Sequence, residues 1–203
     1  MEPVRNLSPA CASRLVARGF TAIELLVVIG VLGVLFALAL PSFQSLFERF
    51  RVRQAVEGLQ STLYYARSEA IKRGGNVTVQ RLPSTPSSNC TLASLTGEWG
   101  CGWVVCTTTS PTNANCVTGS GALVAGATAL QRFDSLTNVE INTTAGNAVK
   151  FNRWGLPSTW LGFNFVAKGK NFLSDPSARV VCMSSAGRVR IGSAEDVCNT
   201  SSP

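Results

Sequence analysis

From Ala22 to Leu40 the chain reads AIELLVVIGVLGVLFALAL, an apolar run interrupted by one acid, Glu24, and followed by Pro41. The twenty-one residues from Phe20 to Leu40 would make roughly 31 Å of helix, close to the hydrocarbon thickness of a bilayer, so the run predicts one membrane span. Beyond Pro41 the pattern changes period without losing helical character. Phe43, Leu46, Phe50, Val56, Leu59, Leu63, Ala66 and Ala70 recur mostly three or four residues apart, while Arg49, Arg53, Gln60 and Arg67 fall between them. That is an amphipathic helix. Lys72 and Arg73 suit its C-terminus, and Gly74-Gly75 supplies the stop, giving one bent helix of about 54 residues.

After Gly75 the texture becomes short β-branched and aromatic runs: Val77–Arg81, Trp103–Thr107, Val139–Asn142, Val149–Phe151, Trp160–Val166, Val180–Met183 and Arg188–Ile191. These predict strands. The segments between them are rich in Ser, Thr, Asn, Gly and Pro, and Thr107–Gly121 predicts a long hairpin excursion. The pattern as a whole predicts an α+β fold in which antiparallel sheets pack on the exposed half of the long helix. The expected organisation is a leader at 1–19, a membrane helix at 20–41, an amphipathic helix at 42–74 and a β-rich domain at 75–203.

Composition removes whole classes of function. The 203 residues include seven cysteines and no histidine. Ser-His-Asp and Cys-His catalysis, imidazole acid/base chemistry and His-containing metal sites are therefore excluded, and no enzyme, cofactor or metal is expected. The net charge of +7 and pI near 9.4 point toward an anionic partner. Arg5, Arg14 and Arg18 precede the apolar run and no basic residue follows until Arg49, which places the N-terminus in the cytoplasm and the rest across the membrane.

The junction Arg18-Gly19-Phe20-Thr21-Ala22-Ile23-Glu24-Leu25-Leu26 resembles the type III leader of type IV pilins and pseudopilins. That resemblance implies that a prepilin peptidase at the bacterial inner membrane cuts between Gly19 and Phe20 and methylates Phe20. It also implies that Glu24 pairs with the α-ammonium of a neighbouring subunit's Phe20 in a filament, and that Pro41 bends the helix. The physics agrees, because a carboxylate within an apolar span is costly unless it has a partner. Loss of the leader removes Glu2 and three arginines, leaving 15 of 18 basic and 10 of 11 acidic side chains.

Three further stretches resemble the GspH/FimT group of minor pilins and pseudopilins. They are Leu63-Tyr64-Tyr65-Ala66-Arg67-Ser68-Glu69-Ala70-Ile71-Lys72-Arg73-Gly74, Trp99-Gly100-Cys101-Gly102-Trp103-Val104-Val105, and Ser184-Ser185-Ala186-Gly187-Arg188-Val189-Arg190. The likeness is weakest from Thr107 to Ala148.

Cys11 would leave with the leader, so Cys90, Cys101, Cys106, Cys116, Cys182 and Cys198 remain for an oxidising compartment, where an even set favours disulfides. Proximity favours Cys182–Cys198, with Cys90–Cys101 and Cys106–Cys116 as the simplest completion. Cys90–Cys116 with Cys101–Cys106 is the rival. Paired CxxC spacing is missing, which counts against zinc.

Charge is polarised along the exported domain. Lys150, Arg153, Lys168, Lys170, Arg179, Arg188 and Arg190 face only Asp175 between residues 150 and 190. Arg188/Arg190 and Lys168/Lys170 share a spacing of two, so in extended chain each pair projects from one face. Guanidinium forks match phosphate oxygens. In the FimT branch, Gly-Arg-x-Arg near the C-terminus binds DNA during natural transformation, and Gly187, Arg188 and Arg190 fit it residue by residue. Lys168, Lys170 and Arg179 join the expected site on charge and spacing alone. The expected partners are double-stranded DNA, other pilin subunits, the peptidase and the membrane. About four phosphate contacts would give weak, sequence-independent, salt-sensitive binding. The competing reading is a structural subunit, either a minor pilin priming pilus assembly or a pseudopilin of type II secretion. It needs neither arginine.

Overall fold

A computed structural model describes residues 20–85, 90–108, 115–134, 138–196 and 198, without the side chains of residues 39–42. The leader with Gly19, part of the Thr107–Gly121 excursion and the Pro41 side chain lie outside the described residues. The chain divides into two units, Met1–Phe43 and Gln44–Pro203. One helix, α1 (Ala22–Arg73), contributes to both.

In the first unit, Thr21 caps α1. Its hydroxyl accepts the Glu24 backbone N–H at 3.3 Å and its carbonyl accepts that of Leu25 at 3.2 Å. Thr21 and Glu24 thus stand at the two ends of a capping-box spacing, with the acid in the turn where the helix dipole favours it. Every described large apolar side chain from Phe20 to Leu38 is exposed, Ile23 by 70% and Leu26 by 67%. Among the described residues no single helical stretch is long and apolar enough to cross a membrane; Ala22–Leu38 and Phe43–Arg73 meet the requirement together by length and composition.

The second unit holds eight strands: β1 (Val77–Arg81), β2 (Gly102–Thr108), β3 (Ala127–Asp134), β4 (Val139–Thr143), β5 (Ala148–Phe151), β6 (Leu161–Ala167), β7 (Arg179–Met183) and β8 (Val189–Ser193). They form two antiparallel four-stranded sheets, ordered β3-β2-β1-β5 and β4-β6-β7-β8. Val52, Ala55, Val56, Leu59, Leu63, Ala66 and Ala70 of α1 join strand residues of both sheets, among them Val79, Trp103, Phe163, Phe165 and Val181, in one buried core. Each fully buried leucine there contributes about 1.5–3 kcal/mol.

Trp103 shows how polar atoms enter this core. Its ring stacks on Phe133 at 4.4 Å, and its indole N–H donates to Thr62 Oγ1 at 3.0 Å. Thr62 in turn donates to the Gly58 carbonyl at 2.7 Å. Gly58 is small for a reason, since a Cβ there would lie 2.5 Å from the Phe133 ring.

Two differences from the sequence pattern have physical causes. Phe43, Leu46 and Phe50 continue the apolar stripe but are 51%, 58% and 65% exposed. The buried apolar residues of the helix begin at Val52, and periodicity reports an apolar face without reporting what lies against it. Strand β3 departs from the sequence pattern because ATALQRFD is an edge strand with every position half-exposed or exposed, which leaves no clean alternation. Its antiparallel pairing with β2 starts at Thr108 and Ala127, and the excursion that composition predicts at Thr107–Gly121 begins where β2 ends, with residues 109–114 outside the described residues. The buried Gln80 amide holds the return of this excursion. Its Oε1 accepts the N–H groups of Cys116 and Val117, and its Nε2 donates to the Val117 carbonyl at 3.2 Å.

Candidate nucleic-acid interface

The β7–β8 hairpin carries the basic residues of the Gly-Arg-x-Arg element. In its register Met183 faces Val189, Cys182 faces Arg190 and Val181 faces Ile191. Val181 and Met183 are buried in the core and Val189 packs against it. Strand alternation therefore turns Cys182, Arg188 and Arg190 to the opposite, outward face. Arg188 is exposed and Arg190 half-buried.

The connecting turn is held at several points. Ser184 N–H donates to the Arg188 carbonyl at 2.9 Å, Gly187 N–H to the Ser184 carbonyl at 2.8 Å, and Arg188 N–H to Ser184 Oγ at 3.2 Å. Gly187 has φ +81°, a conformation that strains any residue with a Cβ. From the helix, Arg67 Nη1 donates to the Gly187 carbonyl at 2.8 Å. A Cβ on Gly187 would lie 2.9 Å from that same nitrogen and 3.2 Å from Leu156 Cδ2. The glycine thus serves both the turn and the close approach of the Arg67 side chain.

Disulfides tie down the surrounding chain. Cys182 pairs with Cys198, Cys90 with Cys101 and Cys106 with Cys116. This is the pairing that sequence proximity favours. The first fastens the C-terminal segment at Cys198 to the outward face, beside Gly162 of β6, where a Cβ would lie 3.1 Å from Cys198 Cβ. In the same segment Asp196 accepts from Ser193 N–H at 2.7 Å and from Ser193 Oγ at 3.1 Å. These bonds, the backbone one foremost and with help from the Arg190 charge, hold the Asp196 carboxyl below its ordinary range. Asp196 is therefore an anion beside one of the two arginines.

The other expected cations do not gather here. Lys168-Gly169-Lys170 is a turn, not extended chain: Gly169 has φ +75° and Lys170 N–H donates to the Ala167 carbonyl at 3.0 Å. The glycine that separates the lysines bends the backbone, so the spacing-of-two argument fails there. That turn follows the end of β6 that pairs with Arg179, whereas Arg188 adjoins the end where Leu161 pairs with Met183. Lys170 Nζ lies 3.9 Å from Glu48 Oε2. Arg179 shares the alternation of Val181 and Met183, so it lies on the helix-facing side, lining a shallow cavity with Arg49, Arg53 and Glu57. Its Nη1 donates to the carbonyls of Pro176 at 3.0 Å and Ala178 at 2.6 Å.

Sequence reasoning missed two participants, Arg67 and Asp196. Arg67 left a faint signal: it is a cation one residue after the buried Ala66, at the margin of the core-facing stripe. No groups of three or more Cys, Asp or Glu side chains able to hold a metal occur among the described residues.

Residues 55–187 match the family described as type II transport protein GspH. The chain is 44% identical over 63 residues to the pilin-like protein PilA1 of Thermus thermophilus, a stretch covering 31% of this chain and 39% of that relative's length. Among solved structures it is similar to the type IV minor pilin FimU of Pseudomonas aeruginosa in two crystal forms, at 23% identity in each. The TM-scores are 0.49 and 0.47, covering 73% and 71% of this chain and 93% and 94% of those chains. The family match over residues 55–187 carries the assignment: this chain belongs to the GspH/FimT family of minor pilins and pseudopilins.

Proposed function

We propose that this protein is a minor type IV pilin that binds double-stranded DNA without sequence preference through Gly187, Arg188 and Arg190 and promotes DNA uptake in natural transformation. The observation that carries the reading is the outward projection of Arg188 and Arg190 from a turn held by the Arg67 hydrogen bond and flanked by the Cys182–Cys198 disulfide. A pre-ordered turn lowers the ordering cost of binding. With Lys168, Lys170 and Arg179 placed elsewhere, two arginines and their neighbours neutralise about two or three phosphates, so one domain binds weakly and steeply salt-dependently. Several copies on a filament would hold DNA by avidity.

In this account a prepilin peptidase cleaves after Gly19, Phe20 becomes the methylated N-terminus, and Glu24 pairs with a neighbouring subunit's Phe20. Before assembly the protein sits in the bacterial inner membrane, with a cytoplasmic N-terminus and a periplasmic β-rich domain. The description of the matching family favours a second reading, a pseudopilin of type II secretion. Charge reversal of Arg188 and Arg190 to Glu separates the two in cells. Loss of DNA capture with filament number and secretion intact supports the DNA reading, whereas loss of filaments or secretion places the arginines in assembly.

A further inference from the structure

The turn after β5 meets the same Arg67 side chain from another direction. A Cβ on Gly155 would lie 2.6 Å from Arg67 Cγ, while Gly187 packs against the guanidinium end. Leu156 bridges the two turns, its Cδ2 being 3.2 Å from where a Gly187 Cβ would stand. Trp154 and Arg188 are thus each one residue from a glycine seated on Arg67.

The Asn152–Leu156 turn is internally fastened. Asn152 Oδ1 accepts the N–H groups of Trp154 at 2.9 Å and Leu156 at 3.0 Å. Gly155 N–H donates to the Asn152 carbonyl at 2.9 Å, Asn152 N–H to the Leu156 carbonyl at 3.0 Å, and a Phe151–Pro157 bridge closes the base. What this turn presents is unusual for the chain. Trp99 and Trp103 are buried and Trp160 is half-buried, but Trp154 is 69% exposed. The Arg153 guanidinium carbon lies over one face of the Trp154 ring, 6.0 Å from its centroid. An aromatic face beside a cation, on a backbone already ordered, is the arrangement that stacks an unpaired base while holding its phosphate.

We propose that Asn152–Leu156 forms the second half of the nucleic-acid site, with Trp154 as a stacking platform for unpaired bases, so that single-stranded stretches are held more tightly than the duplex that the arginines alone bind. The inference rests on the DNA-binding reading and adds a ligand class to it. Bases of a duplex already stack on one another and gain little from Trp154, whereas an unpaired base gains a partner. The arginines supply attraction to both forms, and the tryptophan discriminates between them.

The test uses the full-length protein in a non-ionic detergent, titrated against a labelled 20-nucleotide single strand and against its duplex. The wild type should bind the single strand more tightly. Trp154→Ala should weaken that binding about tenfold, change duplex binding less than twofold and leave the salt slope intact, while Trp154→Phe should retain most of the affinity. The single strand should also quench tryptophan fluorescence in wild type and much less in Trp154→Ala. If Trp154→Ala binds the single strand like wild type and quenching is missing, while Arg188→Gln/Arg190→Gln still loses duplex binding, the platform is overturned and the DNA reading stands. Unchanged titrations with impaired filament assembly would overturn it in favour of subunit packing. Binding of neither DNA form would overturn both readings.

Discussion

Arg67, in the last third of α1, donates from Nη1 to the carbonyl oxygen of Gly187 at 2.8 Å, across 120 residues of sequence. The bond fastens the helix that fills the core to the turn that projects Arg188. Arg67→Met keeps much of the side-chain volume and removes the bond. It should cost about 1–2 kcal/mol, as a charge-assisted bond at a half-buried site does. Thermal unfolding should show a loss of a few degrees, and hydrogen exchange should quicken most at the Gly187 and Arg188 amides. Equal quickening throughout the domain would mean that Arg67 stabilises the fold without specially holding the turn.

Gly187→Ala addresses the other side of that contact. With φ +81° and a Cβ 2.9 Å from Arg67 Nη1, alanine must both strain the backbone and displace the guanidinium. A loss of about 1–3 kcal/mol is expected by chemical denaturation. Arg67→Met should relieve part of it, so the double variant should be less destabilised than the sum of the two single changes.

The Cys182–Cys198 disulfide closes a separation of 16 residues. Cys182→Ser/Cys198→Ser should lower stability by up to about 3 kcal/mol in the chain-entropy view. Because Cys182 is the register partner of Arg190, the same variant should weaken DNA binding more than the equivalent change at Cys90 and Cys101. Equal effects from both pairs would remove the special role of the C-terminal bridge.

Acid sensitivity has two identifiable sources. The Glu69 carboxyl is held below its ordinary value first by a hydrogen bond from Arg73 and then by one from Lys72, at 2.8 and 3.0 Å. The Asp196 carboxyl is lowered by Ser193 and Arg190. A depressed carboxylate contributes stability that is full above its unfolded pKa and disappears as pH falls through the folded value, so the loss should be concentrated below about pH 4. Glu69→Gln and Asp196→Asn should each flatten the melting-temperature profile in that window. At neutral pH Asp196→Asn should also tighten DNA binding by about twofold, since it removes an exposed anion beside Arg190.

Much of this arrangement can be read from the sequence because its causes are local. The extent of α1 follows from periodicity and Gly74-Gly75, seven strands from β-branched runs, and the Arg188/Arg190 face from a spacing of two. What escaped depends on distant partners. The exposure of Phe43, Leu46 and Phe50 is set by where the core ends, and β3 by its pairing with β2. Lys168 and Lys170 share the arginines' spacing, but a positive-φ glycine converts their segment into a turn. Arg67 and Gly187 are separated by 120 residues, and only the packing of the helix against the β7–β8 turn makes them partners.

The most direct test of the central claim is the salt dependence of duplex DNA binding by the full-length protein, in wild type and in Arg188→Gln/Arg190→Gln, with both shown to be folded. Wild type should weaken linearly in log–log form, and the variant should lose about two phosphate contacts, reducing the slope by roughly 1.8 and leaving little affinity at physiological salt. The same affinity and slope in both proteins would contradict the account and return Arg188 and Arg190 to an ordinary solvated strand face.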